Sequence, residues 1–127
     1  MAQYLLDTTT IIDHLRGDKK VNSYLKEIGN RGDIVGCCCI NITETYTGMK
    51  DKEKEKTDKF IESLYYFGVT EEIAKLAGKI KQKYVKKGKT IATTDVIIAA
   101  TAIEYGLILI TKNVKHYPFS ELEIKEI

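Results

Sequence analysis

Short apolar runs alternate along this chain with stretches of helical periodicity, and that alternation limits the folds open to it. Tyr4-Leu5-Leu6, Ile34 to Ile40 and Leu107 to Ile110 are each shorter than an ordinary helix. They are apolar without alternation, which suits strands covered on both faces. Between them lie helical stripes. Val21, Tyr24, Leu25 and Ile28 stand at i, i+3, i+4 and i+7, and Ile73, Leu76, Ala77, Ile80 and Tyr84 form a second stripe. Strands that alternate with helices predict an α/β fold with a central, mostly parallel sheet of about four or five strands, helices covering both faces.

The expected strands cover residues 3–7, 34–40, a short piece around Phe67-Gly68-Val69, 107–111 and an edge strand within 122–127. The expected helices cover 9–16, 18–29 and 41–50. A further helix opens on the charged run Asp51–Lys59 and buries Phe60, Ile61, Leu64 and Tyr65. Thr70-Glu71-Glu72 caps a long helix that ends at Lys86-Lys87-Gly88. The helix from Thr93 to Ile103 is apolar nearly all round and should lie between layers, ending at Gly106.

A length of 127 residues with 43% hydrophobic content suits a single domain over 1–127 with one well-filled core. The net charge of +2 is too small to announce a nucleic-acid binder by itself, although Lys75 to Lys89 holds seven lysines and no acid. No stretch reaches the roughly 20 apolar residues of a membrane span, and the N-terminus does not resemble a secretion signal. A cytoplasmic location without membrane contact is therefore expected. Cys37-Cys38-Cys39 lack the C-x2-C spacing of zinc ligands. They are expected as small reduced hydrophobes in the second strand.

In an open parallel sheet, functional groups gather outside the carboxyl ends of the strands. Four polar residues are expected there. Asp7 ends the first strand, Glu44 follows the second in the first turn of its helix, Asp95 opens the buried helix, and Asn113 follows the fourth strand. Each also has an ordinary use. Asp7 and Asn113 can form turns, Glu44 can complete a capping box with Asn41, and Asp95 can complement a helix dipole. Their convergence at one edge is less ordinary. Clustered carboxylates repel unless a cation compensates, and magnesium or manganese is the hard cation such oxygen ligands select. That chemistry handles phosphate esters. The hydroxyls of Thr8, Thr9, Thr94 and Thr111 would bond the carboxylates or metal-bound waters.

These segments resemble a known family. The stretch from Leu6 to Gly17, with Asp7-Thr8 ahead of Ile11-Ile12 and Leu15-Arg16-Gly17, is similar to the opening motif of PIN domains, and within them to VapC-type toxins of toxin–antitoxin pairs. Asn41-Ile42-Thr43-Glu44 resembles their second motif, and Asp95-Val96-Ile97-Ile98-Ala99-Ala100-Thr101-Ala102 the third. Leu109-Ile110-Thr111-Lys112-Asn113-Val114-Lys115-His116-Tyr117 resembles the fourth, whose pattern closes on phenylalanine.

The resemblance implies a three-layer α/β/α fold and a Mg2+- or Mn2+-dependent endoribonuclease, held by an antitoxin partner and homodimeric. It implies metal ligation by Asp7, Glu44 and Asp95, with Asp7 and Asp95 the main ligands and Glu44 orienting or deprotonating the attacking water. Asn113 stands where many members carry aspartate, which leaves a formal charge of −3 rather than −4 and keeps the number of metals open. Asn113 and Thr111 would hold metal waters. Lys79, Lys81, Lys83, Lys86, Lys87 and Lys89, with Arg16, Lys112 and Lys115, would meet the RNA backbone or form a solvated face. His116 is expected to be structural or a phosphate contact, Asp13 to lie at the surface, and Tyr4, Tyr65, Tyr66 and Tyr84 to be core or interface aromatics. Two other classes compete. One is a non-catalytic PIN-like module that binds RNA or protein, its acidic site decayed at Asn113. The other is an aspartyl phosphatase, disfavoured because the D-x-D motif is missing after Asp7.

Overall fold

The computed structural model describes all residues, 1–127. Five strands, β1 (Gln3–Leu6), β2 (Ile34–Cys37), β3 (Tyr65–Tyr66), β4 (Ile108–Thr111) and β5 (Ile124–Glu126), form one sheet in the order β3-β2-β1-β4-β5. Every neighbouring pair is parallel. The helices are α1 (Thr8–Leu15), α2 (Lys19–Asn30), α3 (Cys39–Gly48), α4 (Lys54–Ser63), α5 (Glu71–Lys86) and α6 (Thr93–Tyr105). Single 3-10 turns occupy Asp51–Glu53 and Val114–His116.

Side-chain parity along β1 sorts the two layers. Leu5 points into a cluster with Leu109, Ile73 and Ile80 of α5, and Val96 and Ile98 of α6. Tyr4 and Leu6 point to the other face, with Ile110, Ile11 of α1 and Ile28 of α2. The α/β/α three-layer arrangement is the one the alternating pattern predicts, and β1 is the strand buried from both sides. It is also the strand at which the order reverses: β2 lies on one flank and β4 on the other. A crevice opens at the carboxyl end of such a strand.

Several boundaries differ from the sequence expectation. The second strand stops at Cys37 instead of running to Ile40. Cys38 is the N-cap of α3, where its backbone N–H donates to Asn41 Oδ1 at 2.8 Å. The three cysteines therefore cross a strand-to-helix junction. Cys37 and Cys38 are buried and Cys39 half-buried, all as free thiols. Glu44 consequently lies in the second turn of α3, not the first, and Asn41 serves Cys38 rather than Glu44. The charged run begins with the 3-10 turn, and α4 starts at Lys54.

The short third strand is Tyr65–Tyr66, not 67–69. Tyr65 pairs with Gly36 and Tyr66 with Cys37, while Phe67 turns into the core. Tyr65 is thus 58% exposed instead of buried under α4. Tyr4 and Tyr84 are core aromatics as expected, whereas Tyr65 and Tyr66 face solvent on the edge strand.

Gly36 permits this close pairing. A Cβ at that position would stand 2.5 Å from the Tyr65 carbonyl oxygen and 2.3 Å from the Phe67 ring. Gly36→Ala is therefore expected to force β3 away from β2. Overpacking of this kind costs about 1–3 kcal/mol, and thermal unfolding should show a fall in Tm of roughly 5 °C or more. An unchanged Tm would mean that β3 shifts without loss.

Candidate active site

At the end of β1 the chain turns directly into α1, and Asp7 is the residue at the turn. It is 2% exposed, and its backbone N–H continues the β1–β4 ladder by donating to the Ile110 carbonyl at 3.1 Å. Its Oδ1 accepts from the Thr10 backbone N–H at 2.9 Å and the Thr10 hydroxyl at 2.7 Å, so Asp7 is the N-cap of α1. Its Oδ2 accepts from the Thr111 hydroxyl at 2.5 Å. The turn-forming and site-forming uses of Asp7 coexist, one on each oxygen. Thr111 is itself held, since its Oγ1 accepts from the Asn113 backbone N–H at 2.9 Å.

The other acids arrive from either flank. Glu44 projects from α3, where its Oε1 accepts from the Thr8 hydroxyl at 2.5 Å. Thr8 Oγ1 in turn accepts from Asn41 Nδ2 at 3.3 Å. A fully buried Asn41 thereby links the cap of α3 to the first turn of α1. Asp95 lies in the first turn of α6. Burial holds its carboxyl above the ordinary aspartate range; nearby His116 opposes that shift, while Glu44 and Asp7 reinforce it. His116 Nδ1 stands 3.6 Å from Asp95 Oδ2. Asn113 donates its side-chain N–H to Thr9 Oγ1 at 3.2 Å.

Together Asp7, Glu44, Asp95 and Asn113 line a cavity of about 230 Å³, with Thr8, Thr9, Ile12, His116 and Tyr117 completing its wall. No lysine or arginine lines it. The structure therefore brings the four sequence-nominated residues to one place. No three His, Cys, Asp or Glu side chains are gathered tightly enough to form a ready-made metal centre. The donor chemistry nonetheless fits a hard divalent cation. All the anionic groups are carboxylates, their formal charge of three is unmatched within the cavity wall, and the second oxygen of Glu44 makes no protein hydrogen bond. Magnesium keeps several of its own waters and needs only one or two carboxylates, so an open set of acids suits it better than a closed cage. The thiols of Cys37 and Cys38 are buried outside this wall; burial pushes the Cys37 thiol up to about 11.

Several positions carry roles that the sequence did not disclose. Thr10, outside the expected set of hydroxyls, donates to Asp7; of that set Thr8 bonds Glu44 and Thr111 bonds Asp7, whereas Thr9 and Thr94 bond none of the carboxylates. His116 has an acidic neighbour after all, because the 3-10 turn after β4 lies opposite the start of α6; only its place three residues after Asn113 hinted at this. Asp13 is not simply a surface residue. It is half-buried and ion-paired with Lys112 at 2.6 Å. Arg16 and Lys115 are exposed.

A family model for the PIN domain matches residues 4–122. The relative named Ribonuclease VapC19 from Mycobacterium tuberculosis is 33% identical over 120 residues, covering 94% of this chain and 96% of its own length. Ribonuclease VapC10 from the same species is 31% identical over 117 residues, covering 92% and 87%. Among solved structures, VapBC2 from Rickettsia felis, bound to a DNA fragment from its promoter, has a TM-score of 0.87 at 19% identity and covers 98% of both chains. That last likeness shows the shared fold.

The raised pKa of Asp95 has a sign that can be checked. A carboxyl whose folded value exceeds its unfolded value binds its proton more tightly when folded. It therefore destabilises the fold once pH rises above that window. Asp95→Asn is expected to raise the Tm of chelator-treated protein at pH 7.5 by about 1–3 °C. The gain should shrink towards zero as pH falls to the ordinary carboxylate range. A loss of stability at pH 7.5 would contradict it.

Proposed function

The chain belongs to the PIN domain family, in the branch that holds the VapC ribonucleases, and we propose that it is a Mg2+- or Mn2+-dependent endoribonuclease, the toxin of a VapBC-type toxin–antitoxin pair. The observation that carries this reading is the meeting of Asp7, Glu44 and Asp95 in one cavity that no lysine or arginine lines. Relatives named as VapC ribonucleases support RNA as the substrate class.

Asp7 and Asp95 would hold the ion, directly or through water, with Glu44 completing the set. A bound divalent cation supplies positive charge to phosphate oxygens and lowers the pKa of water. The residues of the chain do the rest. Thr111 fixes Asp7 Oδ2, and Thr8 fixes Glu44 Oε1. Glu44 Oε2 is left to orient the attacking water and take its proton. Asn113 offers its carbonyl oxygen, with the amide nitrogen committed to Thr9. Because Asn113 is neutral, the site would favour one tightly held ion over two, or leave a second to arrive with the RNA phosphate. The products are two RNA fragments from one hydrolysed phosphodiester.

Basic groups flank the cavity without entering it. Lys81 Nζ lies 2.7 Å from Thr93 Oγ1 at the start of α6, so the C-terminal half of α5 reaches the same edge of the sheet. Lys79, Lys83, Lys86, Lys87 and Lys89 follow on that half or just beyond it, with Arg16 and Lys115 elsewhere on the surface. RNA would be attracted there through its backbone. The solved neighbours are toxin–antitoxin complexes, which supports an antitoxin protein as partner. A homodimer and a cytoplasmic location complete the proposal; no helix is long and apolar enough to cross a membrane.

Asn113 is the observation that favours a second reading, a PIN-like module that binds RNA or protein without cutting. Cleavage of RNA by purified protein separates the two. We expect cleavage in Mg2+ or Mn2+, none in chelator, and a fall of about 100-fold or more for Asp7→Asn or Asp95→Asn, as for groups central to phosphoryl chemistry. Equal cleavage by the wild type and both variants would overturn the nuclease reading. RNA affinity without calorimetric metal binding would favour the module.

A further inference from the structure

The cavity contains one buried donor that the chemistry above leaves unused. Tyr117 is 4% exposed, and its ring is packed in the larger core cluster against the α5–α6 side of the sheet. The residue nevertheless lines the acidic cavity beside Asp7, Glu44 and Asp95. Its hydroxyl makes no hydrogen bond within the protein, unlike that of Tyr84, which donates to Glu121 at 3.1 Å and accepts from the Ser120 backbone N–H at 3.0 Å. The other polar groups of the wall are largely committed. Thr8 donates to Glu44 and the Asn113 amide donates to Thr9, while Thr111 behind the wall donates to Asp7.

A phosphodiester that enters this cavity brings another negative charge towards three carboxylates. A neutral O–H donor offers a hydrogen bond to that anion without drawing the carboxylates away from a cation. Burial, with the fields of Asp7, Asp95 and Glu44 behind it, holds the phenol protonated far above physiological pH. The ring is fixed by packing, so little conformational freedom is lost when a ligand meets the hydroxyl.

We infer that the Tyr117 hydroxyl donates a hydrogen bond to a non-bridging oxygen of the bound phosphodiester, as a substrate-positioning residue. The inference rests on the nuclease reading for the identity of the ligand. An unpartnered hydroxyl in a core contributes little to folding, so removing it should separate stability from ligand binding.

The test compares Tyr117→Phe with Tyr84→Phe, using three readouts on the full chain. These are Tm, the Kd for a fluorescein-labelled 2′-O-methyl RNA 12-mer in Mg2+, and hydrolysis of bis(p-nitrophenyl) phosphate in Mn2+. Tyr117→Phe is expected to keep or raise Tm. It should weaken RNA binding and lower kcat/KM for the small phosphodiester, each by about tenfold, as for loss of a hydrogen bond to a charged group. Tyr84→Phe should lower Tm and leave both ligand readouts within twofold. RNA affinity and hydrolysis within twofold of wild type for Tyr117→Phe would overturn the inference. A fall in Tm of several degrees for that variant would also overturn it, by assigning the hydroxyl to the fold. If wild type cleaves neither RNA nor the small phosphodiester, the nuclease reading fails on its own, and the Kd comparison still decides whether Tyr117 meets phosphate.

Discussion

A buried carboxylate at the centre of the sheet fixes the geometry of everything around it. Asp7 is almost wholly removed from water, and an isolated charge there would be strongly disfavoured. Three donors make its position tolerable: the Thr10 N–H, the Thr10 hydroxyl and the Thr111 hydroxyl. The first belongs to the N-terminal end of α1, whose dipole adds to the effect. The last comes from β4, so the same interaction that stabilises the charge also ties the strand beside β1 to the helix after it. Moving Asp7 would disturb a helix cap, a strand end and the loop to Asn113 together. That coupling makes it a rigid anchor for a ligand.

The rest of the site is an electrostatic problem left partly unsolved by the chain. Hydroxyls satisfy both oxygens of Asp7 and one of Glu44, but hydroxyls carry no net charge. Lys112, just after β4, is held by Asp13 of α1. His116 stands near Asp95 at a distance longer than a good hydrogen bond. Burial shifts the Asp95 carboxyl upwards, and the neighbouring Glu44 and Asp7 add to that shift. The acids of the pocket are oriented by hydroxyls yet have no lysine or arginine among them, and Lys81 reaches the start of α6 outside the wall.

The layers, the parallel sheet and the four residues at its edge were legible in the sequence because they follow from periodicity. Strand runs and helical stripes set the order, and parallel connectivity sends every strand end to one side. What stayed hidden depended on tertiary contacts. The stop of β2 at Cys37 comes from the bond between Asn41 and Cys38, and no apolar pattern encodes it. The register of β3 depends on the absent Cβ of Gly36 against Tyr65 and Phe67. The partners of Asp13 and His116 lie about 100 and 21 residues away in sequence, by the numbering of Lys112 and Asp95. Thr10 was overlooked because three consecutive threonines offer no means of choosing between them; helix geometry chooses the one three residues past the cap.

Two neutral residues, Asn113 and Tyr117, give this acidic site its individual character. A carboxylate at position 113 would add a fourth negative charge to a wall where Asp95 already titrates upwards. The amide instead donates to Thr9 and so holds the loop after β4 against the start of α1. Tyr117 approaches the same carboxylates from the opposite layer with a donor and no charge. Both substitute hydrogen bonding for electrostatic repulsion. The chain thus trades part of its capacity for positive charge for a more firmly defined cavity. A site of this kind depends on the precise placement of its ligand, because the attraction left to it is carried by few groups, each already fixed by the fold.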